Sequence, residues 1–245
     1  MIRSILRPFF DAFRGLDLLL DGGVAALARV FLGLAIGWWL YVPVHELLHA
    51  AACVTAGGSV SRLEIDALYG GRLLARIFPF VVPASDYAGR LSGFDARGSD
   101  LIYLATDLGP FVLALLPGVW LLRRAVSRRW ACLFGLALPM ALAPLLSLTG
   151  DAYEIGSILA THLPPWTSEA ARSLLRGDDL IKKFGELQEA SGAPPWGGYA
   201  LSASLGVAWA LATCALGGAI AGGLGERPVP PRSIALSEAP ETRGA

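Results

Sequence analysis

The sequence contains little charge. Only 16% of its 245 residues are charged, whereas about a quarter is typical of soluble domains, and 54% are hydrophobic. This composition argues against a single water-soluble domain. Basic and acidic residues number 20 each, so the formal net charge is zero. Bulk electrostatics therefore do not favour binding to nucleic acid or to an acidic partner. We therefore expect no nucleic-acid binding.

Cysteine is scarce and asparagine is absent. Cys53, Cys132 and Cys214 stand far apart in apolar stretches, without a CxxC pair. A disulfide framework or a cysteine zinc site needs closely patterned cysteines, so these three are predicted to be buried thiols. Basic residues are 18 arginines and 2 lysines, a bias typical of GC-rich bacterial genomes.

The sequence contains four long apolar runs. A hydrocarbon layer about 30 Å thick requires about 20 apolar residues in a helix. The runs cover residues 24–53, 101–122, 130–148 with a helical continuation to about residue 160, and 199–224. The sequence therefore predicts an all-α integral membrane protein with about four transmembrane helices.

The flanking segments differ from these runs. Residues 1–22 place apolar side chains at helical spacing between charges, which predicts an amphipathic helix in the membrane interface. The recurring charges argue against a secretory signal peptide. Residues 226–245 are rich in proline and predicted to be disordered. Residues 23–225 would then form one membrane domain.

The segment between the first two runs predicts a short β-hairpin. Leu63, Ile65 and Ala67 alternate with charged residues, and an apolar stretch at 73–82 follows Gly70-Gly71. Further along, residues 162–198 carry prolines, glycines and mixed charges, which predict a loop outside the membrane.

Arginines in the short links predict the orientation. Four of them lie between runs two and three, namely Arg123, Arg124, Arg128 and Arg129. Cytoplasmic loops carry an excess of basic residues, so this link is assigned to the cytoplasm, and with four spans both termini lie there too. Five arginines between residues 62 and 97 count against this assignment. We expect a bacterial inner (plasma) membrane protein with cytoplasmic termini.

The chemistry lies in the sequence His45-Glu46-Leu47-Leu48-His49, near the end of the first run. Residues four apart share a helix face with Cβ atoms about 6 Å apart, so both imidazoles can reach one zinc ion. Glu46 lies about 100° around the helix and can act as a general base on water. Chance would produce this motif in roughly one chain in a thousand of this composition. A hydrogen-bonded cluster without metal is the open alternative, although ionisable groups inside a membrane helix are usually functional.

This motif resembles that of the site-2 protease family of intramembrane zinc metalloproteases. In that family HExxH lies on a transmembrane helix, and an Asp near a later helix is the third ligand. The resemblance implies zinc bound by His45, His49 and Asp151, with Glu46 as the catalytic base of a metalloendopeptidase. Its substrates would be membrane proteins or membrane-associated peptides. The family's Asp-Gly order is reversed here in Gly150-Asp151. The Asn that holds substrate in the family has no counterpart in this sequence, so another donor must hold the substrate or that position is vacant.

Residue counting provides a check that is independent of the family. If runs one and three enter from the cytoplasm at Val24 and Trp130, His45 and Asp151 each lie 21 residues further along. That distance is about 31 Å on an ideal helix, so both would lie at the same depth. Glu154 lies about 4.5 Å beyond Asp151 and has a longer side chain, so reach alone does not separate the two carboxylates.

Two other polar residues have alternative interpretations. Asp107, beside Gly109-Pro110, could orient a liganding imidazole or cap its own helix. His162, beside Pro164-Pro165, is expected to be exposed to solvent rather than to bind metal.

Two other functions stay open at this point. One is a non-proteolytic membrane scaffold or binding protein with structural zinc or none. The other is a small transporter using Asp107 and Asp151 as ion sites, which the absence of inverted repeats disfavours.

Overall fold

The structure, a computed structural model, describes residues 6–84, 86–177, 180–181, 183 and 196–230. This part of the chain contains ten α-helices and a small sheet. The helices are α1 (Arg7–Leu20), α2 (Gly23–Thr55), α3 (Gly71–Leu74), α4 (Asp100–Leu108), α5 (Val119–Ser127), α6 (Ala131–Ala141), α7 (Ala143–Leu146), α8 (Asp151–Ala160), α9 (Glu169–Leu175) and α10 (Trp196–Gly223). The strands are β1 (Ser59–Ile65), β2 (Val81–Val82) and β3 (Gly89–Asp95).

Among the described residues, three helical segments are long and apolar enough to cross a membrane. They are Gly23–Thr55, Asp100–Ser127 and Trp196–Gly223, and the second combines α4 and α5 with the turns between them. The molecule is therefore mainly helical and has the character of a membrane protein, as the apolar runs predicted. Helix α2 begins and ends within two residues of its predicted limits.

The prediction of a continuous third helix was wrong. Helix α6 ends at Ala141, α7 has only four residues, and α8 begins at Asp151. Pro144 has no amide hydrogen with which to continue α6, and Gly150 precedes α8 with non-helical φ and ψ angles of −103° and −116°. Asp151 therefore does not lie at the end of an unbroken 31 Å helix, so the depth calculation rested on a wrong premise.

The sheet also differs from the predicted hairpin. Strand β1 lies in the middle, parallel to β2 and antiparallel to β3. Gly70, with φ of +83°, ends a short helical turn over residues 67–69, and Gly71 begins α3. A Cβ atom on Gly71 would lie 2.1 Å from the carbonyl oxygen of Ile65, so this close return requires glycine. Residues 73–80 thus form a crossover that brings Val81 and Val82 parallel to β1, and β3 supplies the antiparallel partner.

Glycines let α2 and α8 approach neighbouring helices closely. A Cβ atom on Gly135 of α6 would lie 2.0 Å from the carbonyl oxygen of Val30 in α2. A Cβ atom on Gly156 of α8 would lie 2.0 Å from the carbonyl oxygen of Ser202 in α10. Both separations are far shorter than van der Waals contact, so larger residues would force the helices apart.

Helix α1 is fixed to the domain by a buried ion pair. Nε of Arg123 in α5 donates to Oδ2 of Asp11 at 2.7 Å, and both side chains are almost completely buried. Arg123 also donates to the carbonyl oxygen of Gly218 at 2.7 Å, and the Val229 backbone N–H donates to Oδ1 of Asp11 at 2.9 Å. We call Asp11, Arg123 and Val229 the clasp.

The clasp refines the predictions for both flanking segments. Helix α1 exposes aromatic side chains, including Phe9 and Phe13, and buries its other face. Residues 226–230, which were predicted to be disordered, pack against Asp11 and Arg124. Residues 1–5 of the predicted interfacial helix and 231–245 of the predicted tail lie outside the described residues.

Candidate metal centre

Three side chains converge where α2 meets the start of α8. Nε2 of His45 lies 3.2 Å from Nε2 of His49 and 3.2 Å from Oδ2 of Asp151, and Nε2 of His49 lies 3.5 Å from Oδ1 of Asp151. A tetrahedral site with metal–ligand bonds of about 2.1 Å has ligand–ligand edges of about 3.4 Å. The three side chains are therefore spaced as ligands of a single metal ion.

The burial of these groups also fits a cation. His45 and His49 are buried, and Oδ2 of Asp151 is enclosed without accepting a hydrogen bond from the described part of the chain. A buried carboxylate oxygen without a donor is unfavourable, and a cation between the three side chains would satisfy it.

Helix α4 orients the second imidazole. Nδ1 of His49 lies 2.8 Å from the backbone carbonyl oxygen of Thr106. A carbonyl can only accept, so Nδ1 carries the proton and donates it to Thr106. The lone pair of Nε2 is then left facing His45 and Asp151, as a metal ligand requires.

Glu46 lies next to this centre, under strand β3. A Cβ atom on Gly89 would lie 2.5 Å from Cγ of Glu46, so the strand backbone passes directly over the side chain. The backbone N–H of Leu91 donates to the Glu46 carboxylate. Glu46 is thus placed between the centre and the strand, while its role as a base stays a prediction.

The structure separates the two candidate carboxylates on α8. Asp151, the first residue of the helix, reaches the histidines. Glu154, one turn later, instead accepts a hydrogen bond from the hydroxyl of Tyr103 in α4. The turn before α8 is closed by the Ala152 backbone N–H, which donates to the Ser147 carbonyl oxygen at 3.1 Å. The break in the third run therefore positions Asp151 at the centre.

The other sequence candidates lie apart from the metal ligands. Asp107 is buried and lines the same cavity, but the contact that orients His49 comes from the neighbouring backbone of Thr106. His162 is half exposed, as expected, and its Nε2 lies 3.0 Å from Oδ2 of Asp100.

A cavity of about 670 Å³ gives access to the centre. Its wall includes His45, Glu46, His49 and Asp151, and the residues of β3 from Gly89 to Ser92 run along one side. In the described sheet β3 is an edge strand, because β1 pairs with it on one side only. The cavity thus combines the metal ligands, a carboxylate and an edge strand of the described sheet.

Sequence reasoning missed three contributors to this site. Thr106 contributes its backbone carbonyl oxygen, which every residue type has, so its identity in the sequence does not reveal the contact. The position of β3 over Glu46 depends on pairing between distant segments. Tyr41 also lines the cavity. It precedes His45 by four residues, so helical periodicity could have placed it on the same helix face as the two histidines.

No family model, curated protein or solved structure matches this chain. The function is therefore inferred from the residues of the centre and their geometry.

Proposed function

We propose that the protein is a membrane-embedded zinc metalloendopeptidase, similar to the site-2 proteases that its motif resembles. The observation that carries the proposal is the convergence of two imidazole nitrogens and a carboxylate at separations of 3.2–3.5 Å, with Glu46 beside them. Two His and one acidic ligand are typical of catalytic zinc, which keeps a fourth position for water or substrate.

Each residue has a defined task in peptide hydrolysis. Zinc, when bound, would polarise the substrate carbonyl and make water nucleophilic at neutral pH. Glu46 takes a proton from the attacking water and returns it to the nitrogen of the leaving amine as the C–N bond breaks. The hydrogen bond from His49 to Thr106 keeps the imidazole oriented throughout.

The strand edge supports an extended peptide as the substrate. A helical peptide hides its carbonyl groups in hydrogen bonds, so a membrane segment must unwind before it can be cleaved. The outer edge of β3 could pair with the unwound segment and place it along the cavity, beside Glu46.

We also propose four membrane passages with both termini in the cytoplasm of a bacterial inner membrane. Three passages correspond to the long apolar segments. The broken chain from α6 to α8 would be the fourth, because its backbone is covered by α2 and α10 rather than by lipid. The arginines at 123–129 favour the cytoplasmic side for the link before α6.

The test is metal content and cleavage measured on the same preparations. We expect about one zinc per chain in the wild type, severe loss in H45A and H49A, and retention in H162A, the matched control histidine. E46Q should keep zinc but not cleave a designed peptide with one Leu/Ala-rich transmembrane helix interrupted by Gly-Pro. Equal zinc in all variants would refute the metal site, and equal cleavage by E46Q would favour a scaffold.

A further inference from the structure

Tyr41 lies on the metal-binding face of α2. It precedes His45 by four residues, as His45 precedes His49, so the three side chains follow one another along the helix. The Tyr41 ring centroid lies 5.1 Å from that of His45 and 5.6 Å from that of Trp38. The side chain is only 5% exposed, and that exposure is toward the cavity that contains the metal ligands.

The hydroxyl of Tyr41 is not among the enclosed polar atoms of the described residues, so it is open to the cavity that the side chain lines. Tyr41 lines the same cavity as the carboxylates of Asp151 and Glu46. A phenylalanine would fill the same space against His45 and Trp38 without presenting a polar group to the cavity. The packing of the ring therefore does not account for the hydroxyl.

Three neighbouring donors in the cavity are already engaged within the protein. Tyr103 donates to Glu154, Ser92 donates to Glu64, and the indole of Trp38 donates to Tyr69. Tyr41 is neutral and uncommitted beside the metal ligands. Its hydroxyl is thus suited to bind an oxygen atom of a ligand that enters the cavity.

We propose that the Tyr41 hydroxyl is a catalytic hydrogen-bond donor to the carbonyl oxygen of the peptide bond being cleaved. This inference rests on the proposed peptidase function. As the water oxygen bonds to the carbonyl carbon, the π electron pair moves to the carbonyl oxygen, which becomes negative. Tyr41 donates a hydrogen bond to that oxygen and keeps its proton. When the C–N bond breaks, the C=O bond re-forms and the nitrogen receives its proton from Glu46.

Such a donor accelerates the reaction because its hydrogen bond strengthens as charge develops on the oxygen. The substrate carbonyl is neutral before attack, so the donor contributes less to substrate binding than to the transition state. Tyr41 should therefore affect kcat more than KM, which distinguishes it from a residue that only packs against His45.

The test compares Y41F with the matched control Y69F. Tyr69 packs in the same apolar cluster, but it does not line the cavity. We expect Y41F to lower kcat on the Gly-Pro-interrupted peptide about 100- to 1,000-fold, with KM and zinc content unchanged. Its affinity for a peptidyl phosphonamidate, whose tetrahedral phosphorus bears negative oxygen, should fall by a similar factor, and Y69F should resemble the wild type.

The possible failures can be told apart. If the wild type cleaves the peptide and Y41F has the same kcat and inhibitor affinity, the assignment of Tyr41 is wrong and the peptidase function stands. If Y41F loses zinc, Tyr41 supports the fold of the centre and the assignment is also wrong. A zinc-loaded wild type that does not cleave would overturn the proposed function together with this inference.

Discussion

The two parts of the chain that meet at the metal centre are built in different ways. Helix α2 is unbroken over 33 residues, despite an internal proline at position 43, and supplies two ligands from one face. Residues 131–160 form three separate helices and supply Asp151 from the start of the third. The spacing of the histidines depends on local helix geometry, whereas the position of Asp151 depends on how α8 packs.

The largest effect is expected from removing the ligand supplied by the broken segment. D151A should weaken zinc binding by about 100-fold or more, since the two histidines alone form an incomplete site. E154A, one turn away, should keep most of its zinc because Glu154 is bonded to Tyr103. Zinc titration of both purified variants checks this, and the reverse result would make Glu154 the ligand.

A smaller effect, on the stability of the fold, is expected from disturbing the packing of each segment. G135V disturbs α2 against α6, and G156V disturbs α8 against α10, each by forcing a side chain into backbone contact. Both should destabilise the fold by about 1 to 3 kcal/mol, which thermal unfolding measures.

Zinc titration of the same two variants sharpens the comparison. The histidines of α2 keep their mutual spacing when the helix shifts, whereas Asp151 moves relative to them when α8 shifts. We therefore expect G156V to weaken zinc binding more than G135V. Equal losses would mean that the position of α2 matters as much as that of α8.

The smallest effect is expected at Thr106. Its backbone carbonyl orients His49, and its hydroxyl donates to the Ile102 carbonyl oxygen inside α4. T106A should therefore change zinc affinity by less than about threefold, because the carbonyl that fixes the imidazole is retained. A loss of tenfold or more in zinc titration would show that the hydroxyl also matters.

The sequence predicted the features that depend on neighbouring residues. Apolar content defined α2 to within two residues, and the four-residue spacing placed His45 and His49 on one face. The choice of Asp151 came from the family resemblance and from the residue count, and the structure does bring this residue to the histidines, although the continuous helix assumed in the count is broken.

Features that depend on distant residues were not predictable in this way. The break between α6 and α8 depends on local prolines and on packing against α2 and α10. Hydropathy alone does not detect this break. The pairing of β1 with β3 skips about 20 residues, so the nearer glycine pair suggested the wrong turn. The contact of His49 with Thr106 uses backbone atoms common to every residue type.

The clasp has a consequence for the order in which the protein is made. Asp11 precedes Arg123 by 112 residues and Val229 by 218 residues. At a synthesis rate of about 5 to 20 residues per second, the Asp11 carboxylate waits about 10 to 40 s for its last partner. Helix α1 therefore reaches its final packing only after α10 has been synthesised.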